Sequence, residues 1–175
     1  AITNFDNEML GLYRGTREGV FVDSAPTSHV GLASRRTLGF GCFFFDPNLD
    51  GRLDLLVANG HIDPSISASR PGVAYAQPPH MFLNEGAAGF RDVALEAGRD
   101  FASPKVARGA AFGDFDNDGD EDVLIATNGG AAHLYRNDVV NGNRSVRLAL
   151  QGTKSNRDAI GAVVRFEARD LKGMR

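Results

Sequence analysis

Tryptophan is missing from this 175-residue chain, and cysteine occurs once, at Cys42. A single thiol excludes an internal disulfide and any cysteine-based zinc cluster. Cys42 lies between Gly41 and Phe43-Phe44-Phe45, so it reads as a buried apolar side chain. No apolar run approaches the ~18 residues a membrane-spanning helix requires. Helical periodicity is not sustained over a dozen-residue window anywhere, and the best short candidate, Val93–Gly98, reads as a single turn. Basic clustering is also scarce: Arg144, Arg147, Lys154 and Arg157 are spread out, with no aromatic residue among them. With a net charge of −3, that distribution disfavours nucleic acid as a partner. Sequence signatures of catalysis are absent as well. The histidines His29, His61, His80 and His133 form no two-histidine metal pair at helical spacing, and there is no Gly-x-Ser-x-Gly elbow or phosphate loop.

What the chain does have is glycine, phenylalanine and clustered aspartate, the composition of short strands and tight turns. The acid is concentrated in two runs of the same spacing. The first is Asp46-Pro-Asn48-Leu-Asp50-Gly51-Arg52-Leu-Asp54, and the second is Asp114-Phe-Asp116-Asn-Asp118-Gly119-Asp120-Glu-Asp122. Phe- or Ala-rich strands lead in, and Asp54–Ala58 and Asp122–Ala126 lead out. Met81-Phe-Leu-Asn84 and Phe90-Arg-Asp92, joined by Glu85–Gly89, read as a hairpin, with His133-Leu-Tyr-Arg-Asn137 and Leu12-Tyr-Arg-Gly15 as related segments. Asp122 to Asn128 is one residue longer than Asp54 to Asn59, which suggests a bulge. The expected fold class is all-β: a partial β-propeller, with four strands per blade, followed by the start of a small β domain. The corresponding division is residues 1–140 as propeller blades (1–38 partial, 39–107 full, 108–140 partial) and residues 141–175 as the second domain.

Each acidic run has the chemistry of a hard-cation loop. Side-chain oxygens at positions 1, 3 and 5, a sharp turn at Gly in position 6, a carbonyl at position 7 and a carboxylate at position 9 form an oxygen shell suited to Ca²⁺. The expected ligands are Asp46, Asn48, Asp50, the Arg52 carbonyl and Asp54, and then Asp114, Asp116, Asp118, the Asp120 carbonyl and Asp122. Asn48 and Pro47 make the first loop less charged and stiffer, so the second is expected to bind more tightly. An EF-hand is excluded by the flanking strands and by Val57 and Ile125 where a glutamate would be needed.

Residues 61–80 contain Pro64, Pro71, Pro78 and Pro79 and no strand pattern, and read as a long inserted loop. After Asn143-Arg144-Ser145, a formal glycosylation sequon, Val146–Leu150 alternates as a strand would. Ser155–Asp158 reads as a polar turn, and residues 162–167 as a further strand.

The two acidic loops with their flanks resemble the FG-GAP or VCBS repeat. Gly152-Thr-Lys-Ser-Asn-Arg-Asp-Ala-Ile-Gly-Ala162 resembles the opening of an ASPIC/UnbV domain, as in the cartilage acidic protein family. The resemblance implies a seven-bladed propeller, calcium in the blade loops and an exported protein that is extracellular, periplasmic or at the cell surface. With fewer blades than a ring needs, the chain is expected to expose apolar faces, either as an incomplete stretch of a longer protein or as a self-associating fragment. It opens on Ala1-Ile2-Thr3 without a signal peptide, which suggests processing or excision from something longer. The expected function is a calcium-stabilised binding or structural module for a protein or glycan. The alternative is an enzyme or biosynthetic accessory with its site near the 61–80 loop or a central channel.

Overall fold

A computed structural model describes residues 1–165. The strand-forming segments assemble as antiparallel neighbours in chain order. β1 (Tyr13–Gly15) and β2 (Phe21–Asp23) make a two-stranded sheet. β3 (Gly39–Phe45), β4 (Asp54–Asn59), β5 (His80–Asn84) and β6 (Phe90–Asp92) make a four-stranded one. β7 (Ala107–Gly113), β8 (Asp122–Thr127) and β9 (His133–Tyr135) make a three-stranded one.

The central sheet is covered on both faces, which is why its sequence is apolar without alternation. Leu55, Leu56, Val57 and Ala58 of β4 are all buried. Alternate side chains point to opposite faces of a strand. Leu55 and Val57, with Phe82 of β5, pack against Leu10, Leu12, Ala25 and Val30. Leu56 and Ala58, with Met81, pack against Phe101, Val123 and Ile125. Burial of each large side chain contributes about 1.5–3 kcal/mol, and this double core holds the roots of both acidic loops in place. Glycine sets how closely the sheets approach. A Cβ on Gly41 would lie 2.6 Å from the backbone nitrogen of Ala110, and one on Gly60 would lie 2.6 Å from that of Ala107.

The propeller expectation is overturned. Three helices are interspersed with the strands: α1 (His29–Ser34), α2 (Ile66–Ser69) and α3 (Arg99–Ala102). The three sheets are separate and open, with two, four and three strands, and no ring closes among the described residues. The architecture is a small mixed α and β fold. The four strands and the turns of the central sheet follow the local sequence pattern, but such patterns do not dictate how sheets and helices assemble.

Local expectations fare variously. The hairpin β5–β6 forms as read, with Gly86 at φ 66° and Gly89 at φ 88° supplying its left-handed positions. Val93–Ala97 is a single turn closed by the Glu96 and Ala97 amides on the Val93 carbonyl. Bulges occur in β3 between Gly39 and Cys42 and in β7 between Ala107 and Gly109, not in the strand that leaves the second loop. The 61–80 segment is not structureless: it contains α2, its His61 amide bonds the Tyr75 carbonyl, and Gln77 bridges to Lys105. Val146–Leu150 forms no strand. Of the strand expected over residues 162–167, positions 166 and 167 lie outside the described residues. Cys42 is half-buried rather than fully buried, and burial pushes its thiol pKa up.

Candidate metal centre

Both acidic loops are built on the same backbone. Each joins the last residue of one long strand to the first aspartate of the next, with Phe45 paired to Asp54 and Gly113 paired to Asp122. Left-handed backbone occurs at matching positions: Leu49 (φ 54°) and Gly51 (φ 80°) in the first, Asn117 (φ 63°) and Gly119 (φ 102°) in the second. Glycine at the sharper of the two turns is therefore a conformational requirement in both loops.

In the second loop, Asp114, Asp116 and Asp122 each offer an oxygen, and these atoms all lie within 4.8 Å of one another. This cluster can coordinate a metal ion. Asp122 is buried and doubly anchored: its Oδ2 accepts the Phe115 amide at 2.7 Å and its Oδ1 the Asn137 amide at 2.8 Å. Asp114 turns Oδ2 outward to Arg147 at 2.5 Å, and its buried Oδ1 has no hydrogen-bond partner. Asp116 and Asp118 are exposed, and Asp118 is not among the three clustered carboxylates. Asp120, expected to contribute only a carbonyl, buries its carboxyl with Oδ1 unpartnered. Burial, then the adjacent charge and hydrogen bond of Asp118 and the charges of Asp122 and Asp116, push its pKa up to about 6. Unpaired buried carboxylate oxygens are costly. A divalent cation would satisfy them, so the donor set fits a hard ion.

The first loop is closed on itself. Asp46 accepts the Asp50 amide on Oδ1 at 3.0 Å and the Gly51 amide on Oδ2 at 2.8 Å. Asn48 Oδ1 accepts the Asp50 amide at 3.1 Å. Asp50 accepts the Arg52 amide at 2.8 Å and the Arg52 guanidinium at 2.5 Å. Asp54 is fully buried, with Oδ1 accepting the Asn84 amide at 2.6 Å and Oδ2 unpartnered. Burial pushes its pKa up to about 6, and the charges of Asp50 and Asp46 add to this against the pull of the Asn84 amide.

Residues that the loop spacing did not flag join the two loops. The Glu121 carboxylate accepts the Asp46 amide at 3.0 Å. Asn137 donates its side-chain amide to the Pro47 carbonyl at 2.7 Å while its backbone amide holds Asp122. Arg136 Nε lies 3.9 Å from Asp116 but 2.9 Å from Asp138. Asn137 ends a segment with a visible sequence pattern, whereas no spacing signal points to Glu121 or Arg147.

The histidines bracketing 61–80 are each fully engaged. His61 Nδ1 accepts the Asp63 amide at 3.0 Å, which leaves Nε2–H to donate to Asp6 at 3.1 Å, and Asp6 also takes Arg70. His80 pairs with Asp92 at 2.6 Å and with the Thr37 hydroxyl at 3.2 Å, and stacks on Phe82. Around Ser155–Asp158 the polar side chains serve the turn itself, with Asn156 Oδ1 accepting the Asp158 amide at 2.8 Å.

Among the described residues, no helix is long and apolar enough to cross a membrane. No protein-family model matches the chain, and no curated protein matches it. Together with the open sheets and interspersed helices, this overturns the resemblance to the FG-GAP/VCBS and ASPIC/UnbV families and the calcium-propeller function drawn from it.

Proposed function

We propose that the chain is a divalent-cation-binding protein whose Asp114–Asp122 loop takes Ca²⁺, with the Asp46–Asp54 loop as a second and weaker site. The observation that carries this reading is the convergence of Asp114, Asp116 and Asp122 within 4.8 Å, with a buried, unpartnered Asp114 oxygen beside them. Hard oxygen donors favour Ca²⁺ over the softer transition metals, and a flexible loop suits its irregular shell better than the strict octahedron of Mg²⁺. The ligands proposed for the stronger site are Asp114, Asp116, Asp118, the Asp120 carbonyl and Asp122. Those for the weaker site are Asp46, Asn48, Asp50, the Arg52 carbonyl and Asp54, where the ion competes with bonds the loop already makes. A solvent-facing loop of this kind suits a compartment rich in calcium, with an affinity on the order of 10⁻⁴–10⁻³ M. The net charge of −3 and the dispersed cationic residues weigh against nucleic acid as the partner.

The test is calorimetric titration of the metal-stripped chain with Ca²⁺, repeated on Asp116→Asn, alongside thermal unfolding. The expected result is a stronger and a weaker binding event, loss of the stronger in the variant, and a rise in Tm with Ca²⁺. Absence of binding heat together with an unchanged Tm would overturn the reading.

A further inference from the structure

We infer that Arg147 is a built-in counter-cation of the second acidic loop, so that the segment carrying it and a divalent ion compete for the same carboxylates. The inference rests on the cation site proposed above. Residues 141–147 run across both loops rather than away from them. Asn141 and Asn143 donate their side-chain amides to the Asn48 carbonyl of the first loop, the latter at 3.0 Å. The Ser145 hydroxyl donates to the Gly119 carbonyl of the second. Arg147 donates to Asp114 Oδ2 at 2.5 Å and to Asn117 Oδ1 at 2.9 Å. Ser145 and Arg147, with Asp46, Asp114, Asp120 and Glu121, line one cleft between the loops.

The electrostatics around that cleft are one-sided. Asp114, Asp116, Asp118, Asp120, Glu121 and Asp122 crowd into a single turn. Arg136 approaches Asp116 but is held more closely by Asp138, which leaves Arg147 as the cation in direct hydrogen-bonded contact with the loop among the described residues. Asp114 divides its two oxygens: the inner one is buried and free, and the outer one is taken by the guanidinium. A metal on the inner oxygen draws charge from the same carboxylate and sets a second positive charge beside the first. By linkage, each cation then weakens the other. The Arg147 side chain is 67% exposed, so water receives it readily when it lets go. A pair of that exposure is weak, and its removal changes cation affinity by about two- to five-fold.

Ca²⁺ titration by calorimetry of the wild-type chain, Arg147→Gln and Arg147→Lys tests the inference, with trypsin cleavage after Arg144 and Arg147 followed by mass spectrometry. The expected result is two- to five-fold tighter binding by Arg147→Gln, near-wild-type binding by Arg147→Lys, and faster wild-type cleavage at the segment when Ca²⁺ is added. Unchanged or weaker binding by Arg147→Gln would overturn the inference while leaving the cation site standing, because the guanidinium would then serve only to position Asp114. Binding that appears in Arg147→Gln but not in the wild type supports competition. Failure of all three chains to bind removes the cation site and the competition with it.

Discussion

The two acidic loops share their spacing, their root strands and their left-handed turns, and both carry Asx bonds within the turn, yet they differ in how many of their oxygens those bonds use. The first spends them inwardly: Asp46, Asn48 and Asp50 accept amides of their own loop, and Arg52 closes over Asp50. The second is held from outside, by the Asn137 amide on Asp122, Ser145 on Gly119 and Arg147 on Asp114, and it keeps a three-carboxylate cluster open. One sequence pattern therefore gives one loop whose turn residues satisfy one another, leaving only Asp54 Oδ2 unpartnered, and one that keeps an open carboxylate cluster. Self-satisfaction of Asx turns lowers the gain from adding a cation, because each bond formed to metal replaces one already made.

The largest way to break the contrast is at position 9 of each loop. Asp122→Ala leaves the Phe115 and Asn137 amides without their carboxylate acceptor in a partly buried setting, and should cost about 2 kcal/mol. It should also collapse the open cluster. Chemical denaturation with and without Ca²⁺ checks both, since the variant should lose stability and lose the response to the ion.

Acidity separates the loops next. Asp54 and Asp120 both have pKa values raised to about 6. A carboxyl whose folded pKa lies above its unfolded value favours the fold when protonated. Its contribution is fully present below about pH 4 and is lost as pH rises through 6. Asp6 and Asp92 act oppositely. Burial opposes their charge, but the Arg70 and His61 bonds to Asp6, and the His80 bond to Asp92, hold both pKa values below the usual carboxylate range. Their stabilisation is present above about pH 4 and is lost as pH falls through their depressed values. The metal-free chain should therefore be most stable near about pH 4 and should lose on the order of 2 kcal/mol by pH 7 from Asp54 alone. Saturating Ca²⁺ should move that optimum to higher pH. Denaturation curves across pH in chelator and in Ca²⁺ give the comparison, and an optimum unmoved by the ion would place the raised carboxyls outside the binding sites.

Asp54→Asn sharpens the same point within the first loop. The substitution keeps an acceptor for the Asn84 amide, replaces the unpartnered oxygen with a donor, and removes the charge that Asp46 and Asp50 repel. In chelator at pH 7 it should stabilise the chain by about 1 kcal/mol, and the gain should shrink or reverse in Ca²⁺. A loss of stability in chelator would show that Asp54 is already neutralised by something other than metal.

How much of this was legible beforehand follows from the range of each interaction. The acidic loops were visible because alternate side chains and a glycine turn are encoded within nine consecutive positions. The β5–β6 hairpin was visible for the same local reason. Helices α1, α2 and α3 were not, because six, four and four residues are too few to display a helical period. The sharpest trace of α1 is Ser28, whose hydroxyl caps the Gly31 amide. The order in residues 61–80 depends on Arg70 meeting Asp6 and on Gln77 meeting Lys105, pairings no local pattern contains. The propeller failed as an inference at that same level, since blade-like strand spacing is local whereas the assembly of sheets is not. Arg147 reaches Asp114 across thirty-three positions of sequence, a separation that no local pattern encodes.

The smallest expected effect concerns the backbone the two loops share. Leu49 and Asn117 occupy matching left-handed positions, at φ 54° and 63°. That conformation costs an ordinary L-residue roughly 1–2 kcal/mol, and asparagine tolerates it far better. Leu49→Asn should therefore relieve strain in the first loop. Leu49 is half-buried against the cleft, so lost apolar contact offsets part of the gain and leaves a net stabilisation of about 0.5 kcal/mol. Glycine is the weaker choice here, because its greater freedom in the unfolded chain cancels the relief. Paired denaturation midpoints for the wild type and Leu49→Asn in chelator resolve a difference of that size. A destabilised variant would show that the cleft contacts of Leu49, and not the strain of its backbone, decide why the first loop differs from the second.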